Sequence, residues 1–127
     1  MLLTRIFLTT AAIFAGLSVA AGAFASHALK ERLTERALEI FETAARYQIY
    51  HALALFLVAV LLSRTESDSS TLSAAGYAFI AGIAIFSGSL YALSLTGIQW
   101  LGAITPLGGV AFLVGWSCVA IAAWSFK

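Results

Sequence analysis

The chain has 127 residues, 61% of them hydrophobic, with seven Lys/Arg and six Asp/Glu for a net charge of +1. Charged residues make up 10% of the chain, against about 25% in an average soluble domain. No charge lies in Ile6–Leu29, Tyr47–Ser63 or Ser69–Phe126, runs of 24, 17 and 58 residues. A soluble surface needs water-compatible groups. These runs therefore exclude an ordinary soluble globule and a disordered chain, and the near-neutral charge excludes a basic nucleic-acid binder. The single cysteine, Cys118, excludes an internal disulfide framework and a cysteine-rich metal site.

About 20 apolar residues in a helix cross the roughly 30 Å of hydrocarbon. Four spans are predicted, at about residues 6–25, 46–62, 72–95 and 106–126, in a single transmembrane domain covering residues 1–127. Spanning strands would alternate apolar and polar residues, which Ala81-Gly82-Ile83-Ala84-Ile85-Phe86 does not do. The first span has a competing reading as a signal peptide, with Arg5 before the apolar stretch and Ala23-Phe24-Ala25 before Ser26. The apolar stretch exceeds the usual length of such a segment, which favours a retained helix.

Between the first two spans, Lys30 to Arg46 holds four charges of each sign. Leu33, Ala37, Ile40, Phe41, Ala44 and Tyr47 recur at helical spacing. Thr34 before Glu35 fits an N-cap, and Glu42 with Arg46 forms an i,i+4 pair in the favoured order. One helix is expected, amphipathic at the interface and then entering the membrane. The second connection, Ser63 to Thr71, is hydrophilic and expected to be the most mobile part. The third, Thr96 to Thr105, carries no charge and should lie in the interface with Trp100 at headgroup level. Thr105-Pro106 reads as an N-cap followed by proline at the first helical position.

Orientation is a tie under the positive-inside rule. Arg5, Arg64, Lys127 and the α-amino group lie on one side, with Lys30, Arg32, Arg36 and Arg46 on the other.

Small residues at steps of three or four mark close helix packing in lipid. The fourth span has Gly108, Ala111, Gly115, Cys118 and Ala122, the first Ala12, Gly16, Ala20 and Ala23, and the third Ala74, Ala78 and Gly82 with Ala84 and Gly88 on a neighbouring row. Gly16, Gly82, Gly88, Gly108, Ala111 and Gly115 are the packing residues this pattern selects. It does not separate packing within one bundle from packing between subunits.

Polar groups at membrane depth are the candidates for function. Arg46, Tyr47, Gln48, Tyr50 and His51 cluster where the charged helix enters the apolar region. With Ser87 of the third span they form a candidate ligand-binding set, the alternative being snorkelling and interhelical hydrogen bonds. His27 and His51, the two histidines, lie toward one side of the membrane and raise haem or metal ligation as a further alternative. No carboxylate at membrane depth completes a metal set, and no triad, phosphate loop or zinc-protease motif is present. No catalytic residue, metal or cofactor is assigned.

Four segments bear a resemblance. They are Gly22-Ala23-Phe24-Ala25-Ser26-His27-Ala28-Leu29, Phe41 through Leu55 with its Arg46-Tyr47-Gln48-Ile49-Tyr50-His51 core, Ile85-Phe86-Ser87-Gly88-Ser89-Leu90-Tyr91, and Leu101 through Gly109 with its Thr105-Pro106-Leu107-Gly108-Gly109 turn. Together they resemble the domain-of-unknown-function family 423 (DUF 423), the YgdD/YwdK-like small bacterial inner-membrane proteins, related to transmembrane protein 256. The resemblance implies a four-transmembrane-helix bundle in the inner membrane and names no activity, substrate or cofactor. The expected class is an all-α integral membrane protein, packing or accessory in role. Its expected partners are the lipid bilayer and either a second copy, as a homo-oligomer, or a larger membrane complex. No nucleic acid is expected. The alternatives are a lipid or small-molecule binder near Arg46 and a redox protein using His27 and His51.

Overall fold

The computed structural model describes residues 2–65 and 69–126. The protein is all-α among these residues. Helix α1 (Leu2–Phe24) runs into a π turn, Ala25–Leu29; α2 is Glu35–Arg64. The third span joins α3 (Ser70–Gly82), a second π turn (Ile83–Ser87) and α4 (Gly88–Thr96); α5 is Leu101–Trp124. Leu2–Leu29, Glu35–Arg64, Ser70–Thr96 and Leu101–Trp124 are each long and apolar enough to cross a membrane.

The caps explain the boundaries. Thr34 Oγ1 accepts from the Ala37 N–H at 3.1 Å, so α2 starts where the charged stretch promised and runs unbroken to Arg64. Ser69 Oγ accepts from the Leu72 N–H at 3.2 Å and opens α3. The hydrophilic connection is therefore shorter than Ser63–Thr71, and the expectation of mobility at its centre, residues 66–68, lies outside the described residues. Gly97, at φ 72°, ends α4 with its N–H on the Leu93 carbonyl at 2.8 Å. That left-handed position suits glycine.

Proline does not open α5, contrary to the expected N-cap at Thr105. The helix starts at Leu101, because Leu101, Gly102 and Ala103 donate three residues back to Ile98, Gln99 and Trp100. Pro106 thus sits inside the helix. Its lost bond falls near the helix N-terminus, and Thr105 Oγ1 meets Ser89 Oγ at 2.6 Å rather than capping.

In cross-section, α1 packs mainly on α2, and α5 mainly on α3. Helix α2 contacts the whole third span, so these two form the short diagonal, with α1 and α5 on opposite sides. Phe7 ties α1 to α3, edge-on to Tyr77 with ring centroids 5.3 Å apart. The main core gathers Phe7, Leu55, Val58, Leu72, Phe79 and Phe112, while Ala25, Leu29 and Phe41 form a smaller one nearer the Lys30–Thr34 connection.

Gly108 and Gly115 of α5 pack against the third span of the same chain. A Cβ at Gly115 would stand 2.5 Å from the Phe79 ring, and one at Gly82 2.5 Å from the Phe112 ring. Ala111 is half-buried in the same seam. A Cβ at Gly16 or Gly88 would meet nothing within 4 Å beyond its own helix backbone. Gly115→Leu should therefore lower stability by about 1–3 kcal/mol through overpacking. Leu113→Ala should have little effect, since Leu113 is 67% exposed and faces lipid. Thermal unfolding in micelles checks the pair; equal melting temperatures would remove the seam from the account.

Candidate functional site

The cluster at the start of the second span divides by helix face. Ala44, Gln48, His51, Leu55 and Val58 recur at steps of four and three and are buried. Arg46, Tyr47 and Tyr50 lie between those steps and are exposed. The split follows from 3.6 residues per turn.

The buried members bind helices to one another. Gln48 Nε2 donates to the Phe14 carbonyl of α1 at 2.8 Å, and Tyr91 of α4 donates its hydroxyl to Gln48 Oε1 at 2.7 Å. One amide thus joins three helices. Tyr91 also packs edge-on to Phe41, centroids 4.9 Å apart. Ser87 donates to the Ala44 carbonyl at 2.8 Å and is 1% exposed.

His51 Nδ1 lies 2.8 Å from the Tyr47 carbonyl, and Trp116 Nε1 of α5 donates to His51 Nε2 at 3.1 Å. A carbonyl needs a donor and an indole N–H needs an acceptor, so the imidazole is neutral with its proton on Nδ1. Phe112 stacks on the ring at 3.5 Å and 8°. Both nitrogens are thus engaged by the protein, which leaves none for a haem iron in this arrangement. His27 is exposed on the first π turn.

The second π turn explains how Ser87 reaches α2. The Gly88 N–H reaches the Ile83 carbonyl, five residues back, and the widened turn directs Ser87 inward. On the opposite side Gly108 of α5 lies against the backbone of Phe86. The third span is thereby fixed between α2 and α5 at one level.

Of the exposed members, Arg46 faces two clefts. One, of about 420 Å³, lies between α2 and α4 and is lined by Arg36, Glu39, Glu42, Thr43, Arg46 and Leu90. The other, of about 410 Å³, lies between α1 and α2 and includes Ser18, Gly22, Glu42, Ala45, Arg46 and Ile49. Glu42 and Arg46 border both. The expected Glu42–Arg46 ion pair is not made; among the described residues the ion pair within 4 Å joins Arg36 and Glu39 at 3.3 Å. Exposed pairs gain about 0–1 kcal/mol, too little to hold two long side chains together. Tyr47 lies over Phe86, centroids 4.8 Å apart, and Tyr50 is 51% exposed.

Sequence reasoning missed the partners: the Phe14 carbonyl, Phe112, Trp116 and the Ser89–Thr105 bond. Trp116 carried a signal, since a tryptophan in mid-span rather than at the interface needs an acceptor for its N–H.

The family model described as "Protein of unknown function (DUF423)" matches residues 21–109, from the end of α1 through Gly108 and Gly109. The chain belongs to the DUF423 family. It is 45% identical over 119 residues to the UPF0382 membrane protein YwdK of Bacillus subtilis, covering 94% of this chain and 96% of that one. It is 42% identical to a UPF0382 membrane protein of Staphylococcus aureus and 40% identical to one of Staphylococcus epidermidis, each over 96% of this chain and 98% of the relative. No solved structure matches the chain. The DUF423 match contains the whole of α2, both π turns and the cleft between α2 and α4, while Ser18 of the other cleft lies before it.

The two faces predict different mutational outcomes. His51→Gln should cost about 1–2 kcal/mol, through the lost Phe112 stack and Trp116 acceptor. Arg46→Gln should stay within about 0.5 kcal/mol of wild type. Melting in one detergent compares them; a larger loss from Arg46→Gln would reverse the assignment of faces.

Proposed function

We propose that this DUF423 protein is a non-catalytic accessory protein of the bacterial cytoplasmic membrane, acting by lateral association as a homo-oligomer or as a small subunit of a larger complex. The carrying observation is the commitment of its buried polar groups to architecture. The buried Gln48, His51 and Ser87 and the half-buried Tyr91 each bond across helices, and among the described residues no buried side-chain polar atom lacks a partner. Such a network specifies one bundle. The outer face of α1 adds support, because Ala12, Gly16, Ala20 and Ala23 are exposed and allow close approach of another helix.

Cysteine crosslinking of the full chain in native membranes tests this. Gly16→Cys should yield more disulfide-linked product than Leu113→Cys, which sits on a bulky lipid face. Equal yields would count against association through α1.

A second reading is supported by the clefts at Arg46: the protein binds a membrane lipid there. Guanidinium stays charged near lipid and grips phosphate in two places. Gln48, His51 and Ser87 line neither cleft, since their side chains bond inside the bundle.

A further inference from the structure

Glu42 and Arg46 stand side by side, border both clefts and make no ion pair within 4 Å among the described residues. Their depth differs in a definite order. From Arg46 to Arg64 the helix crosses 17 uncharged residues, a rise of about 27 Å, close to the thickness of the hydrocarbon. Arg46 therefore marks the edge of the apolar slab. Glu42 lies one turn farther out, about 6 Å along the axis. The cation is the inner charge and the anion the outer one.

A zwitterionic phospholipid carries its charges in the complementary order. Its phosphate joins the glycerol near the slab edge, and its ammonium extends outward on a two-carbon arm. We propose that Glu42 and Arg46 form a headgroup site for phosphatidylethanolamine, with Arg46 on the phosphate and Glu42 accepting hydrogen bonds from the primary ammonium. The proposal rests on the lipid-binding reading and names its ligand. The groove between α1 and α2 receives the lipid backbone. Its floor is Ser18, Gly22 and Ala45, with Ile49 continuing toward the membrane interior. A Cβ at Gly22 would meet nothing within 4 Å, so the floor is open rather than filled by a neighbour.

The chemistry discriminates among headgroups. Phosphatidylcholine presents a quaternary ammonium, which has no N–H to donate to Glu42. Phosphatidylglycerol presents a phosphate and no cation, so Glu42 opposes it. Phosphatidylethanolamine alone among the three satisfies both residues.

Native mass spectrometry of the delipidated full chain, offered the three lipids in equal amounts, tests this directly. Phosphatidylethanolamine should be retained about threefold over each of the others, the scale of a partly exposed charge pair. Glu42→Gln should abolish that preference and raise phosphatidylglycerol relative to the rest. Arg46→Gln should weaken all three. Gly22→Leu should also weaken all three by filling the groove, with both charges intact, and Arg64→Gln should change nothing. Equal retention of the three by wild type would overturn the headgroup assignment while leaving lipid binding in place, and so would a preference that survives Glu42→Gln. Retention of none would overturn the lipid-binding reading as well. The wild-type ranking decides the matter even where a variant fails to fold.

Discussion

Gly108→Leu should prevent the bundle from assembling, and Gly108→Ala should already destabilise it. A Cβ at Gly108 would stand 2.7 Å from Phe86 Cβ and 2.8 Å from Phe86 Cα. Part of that obstacle is backbone, which cannot rotate away as a ring can. The Phe86 backbone is also held from behind, since Ser87 is bonded to Ala44. Alanine should cost about 1–3 kcal/mol and leucine more, because α5 must leave the third span altogether. Gly16→Ala and Gly88→Ala should show the opposite sign. Both positions are open and helical, and alanine there gains about 0.5–1 kcal/mol of helix propensity. Melting of the four variants in one detergent makes the comparison. A stable Gly108→Leu monomer with the wild-type melting temperature would refute the close approach of α5.

Gln48→Leu should be the most damaging change to the polar network. It strands the Tyr91 hydroxyl in the interior and removes the bond from α2 to the Phe14 carbonyl. An unpaired buried polar group costs about 1–3 kcal/mol. Tyr91→Phe alone should cost less, as it leaves one amide oxygen unpaired. Combined, the two changes should cost less than their sum, because the double variant no longer strands the hydroxyl. The coupling should fall near 0.6 kcal/mol, with an upper range of about 1.7, as for other hydrogen bonds between membrane helices. A double-mutant cycle on unfolding free energies measures it, and strict additivity would mean the Gln48–Tyr91 bond contributes nothing.

The spans were legible because charge is excluded from hydrocarbon, and Arg46 and Arg64 mark the limits of α2 in lipid on any reading. The start of α2 was legible because Thr34 capping is a local interaction. The start of α5 was not, because Ile98 to Trp100 form its first turn through backbone carbonyls, which no side chain signals. Neither π turn was legible. The one at Ile83–Ser87 coincides with the contacts of Ser87 with Ala44 and of Phe86 with Gly108, 43 and 22 residues apart in sequence, and such tertiary causes leave no local pattern. The division of the polar cluster was within reach. Extending the row Ala44, Gln48, His51 to Leu55 and Val58 separates the inward residues from Arg46 and Tyr50. Nearness in sequence groups Arg46 to His51 as one cluster, whereas the helical row divides it between two faces.

The diamond cross-section bears on how the chain is made. Helix α1 packs chiefly on α2, and α5 chiefly on α3, so each strong pairing joins spans adjacent in the order of synthesis. The pairing of α1 with α2 draws on no residue after Arg64. The bonds from Ser87 to Ala44, Tyr91 to Gln48 and Trp116 to His51 then all run from later residues to earlier ones on α2. Membrane insertion can thus proceed as two successive hairpins, the second docking onto acceptors that the first already presents, with the last bond, from Trp116, formed only when the final helix leaves the translocation channel.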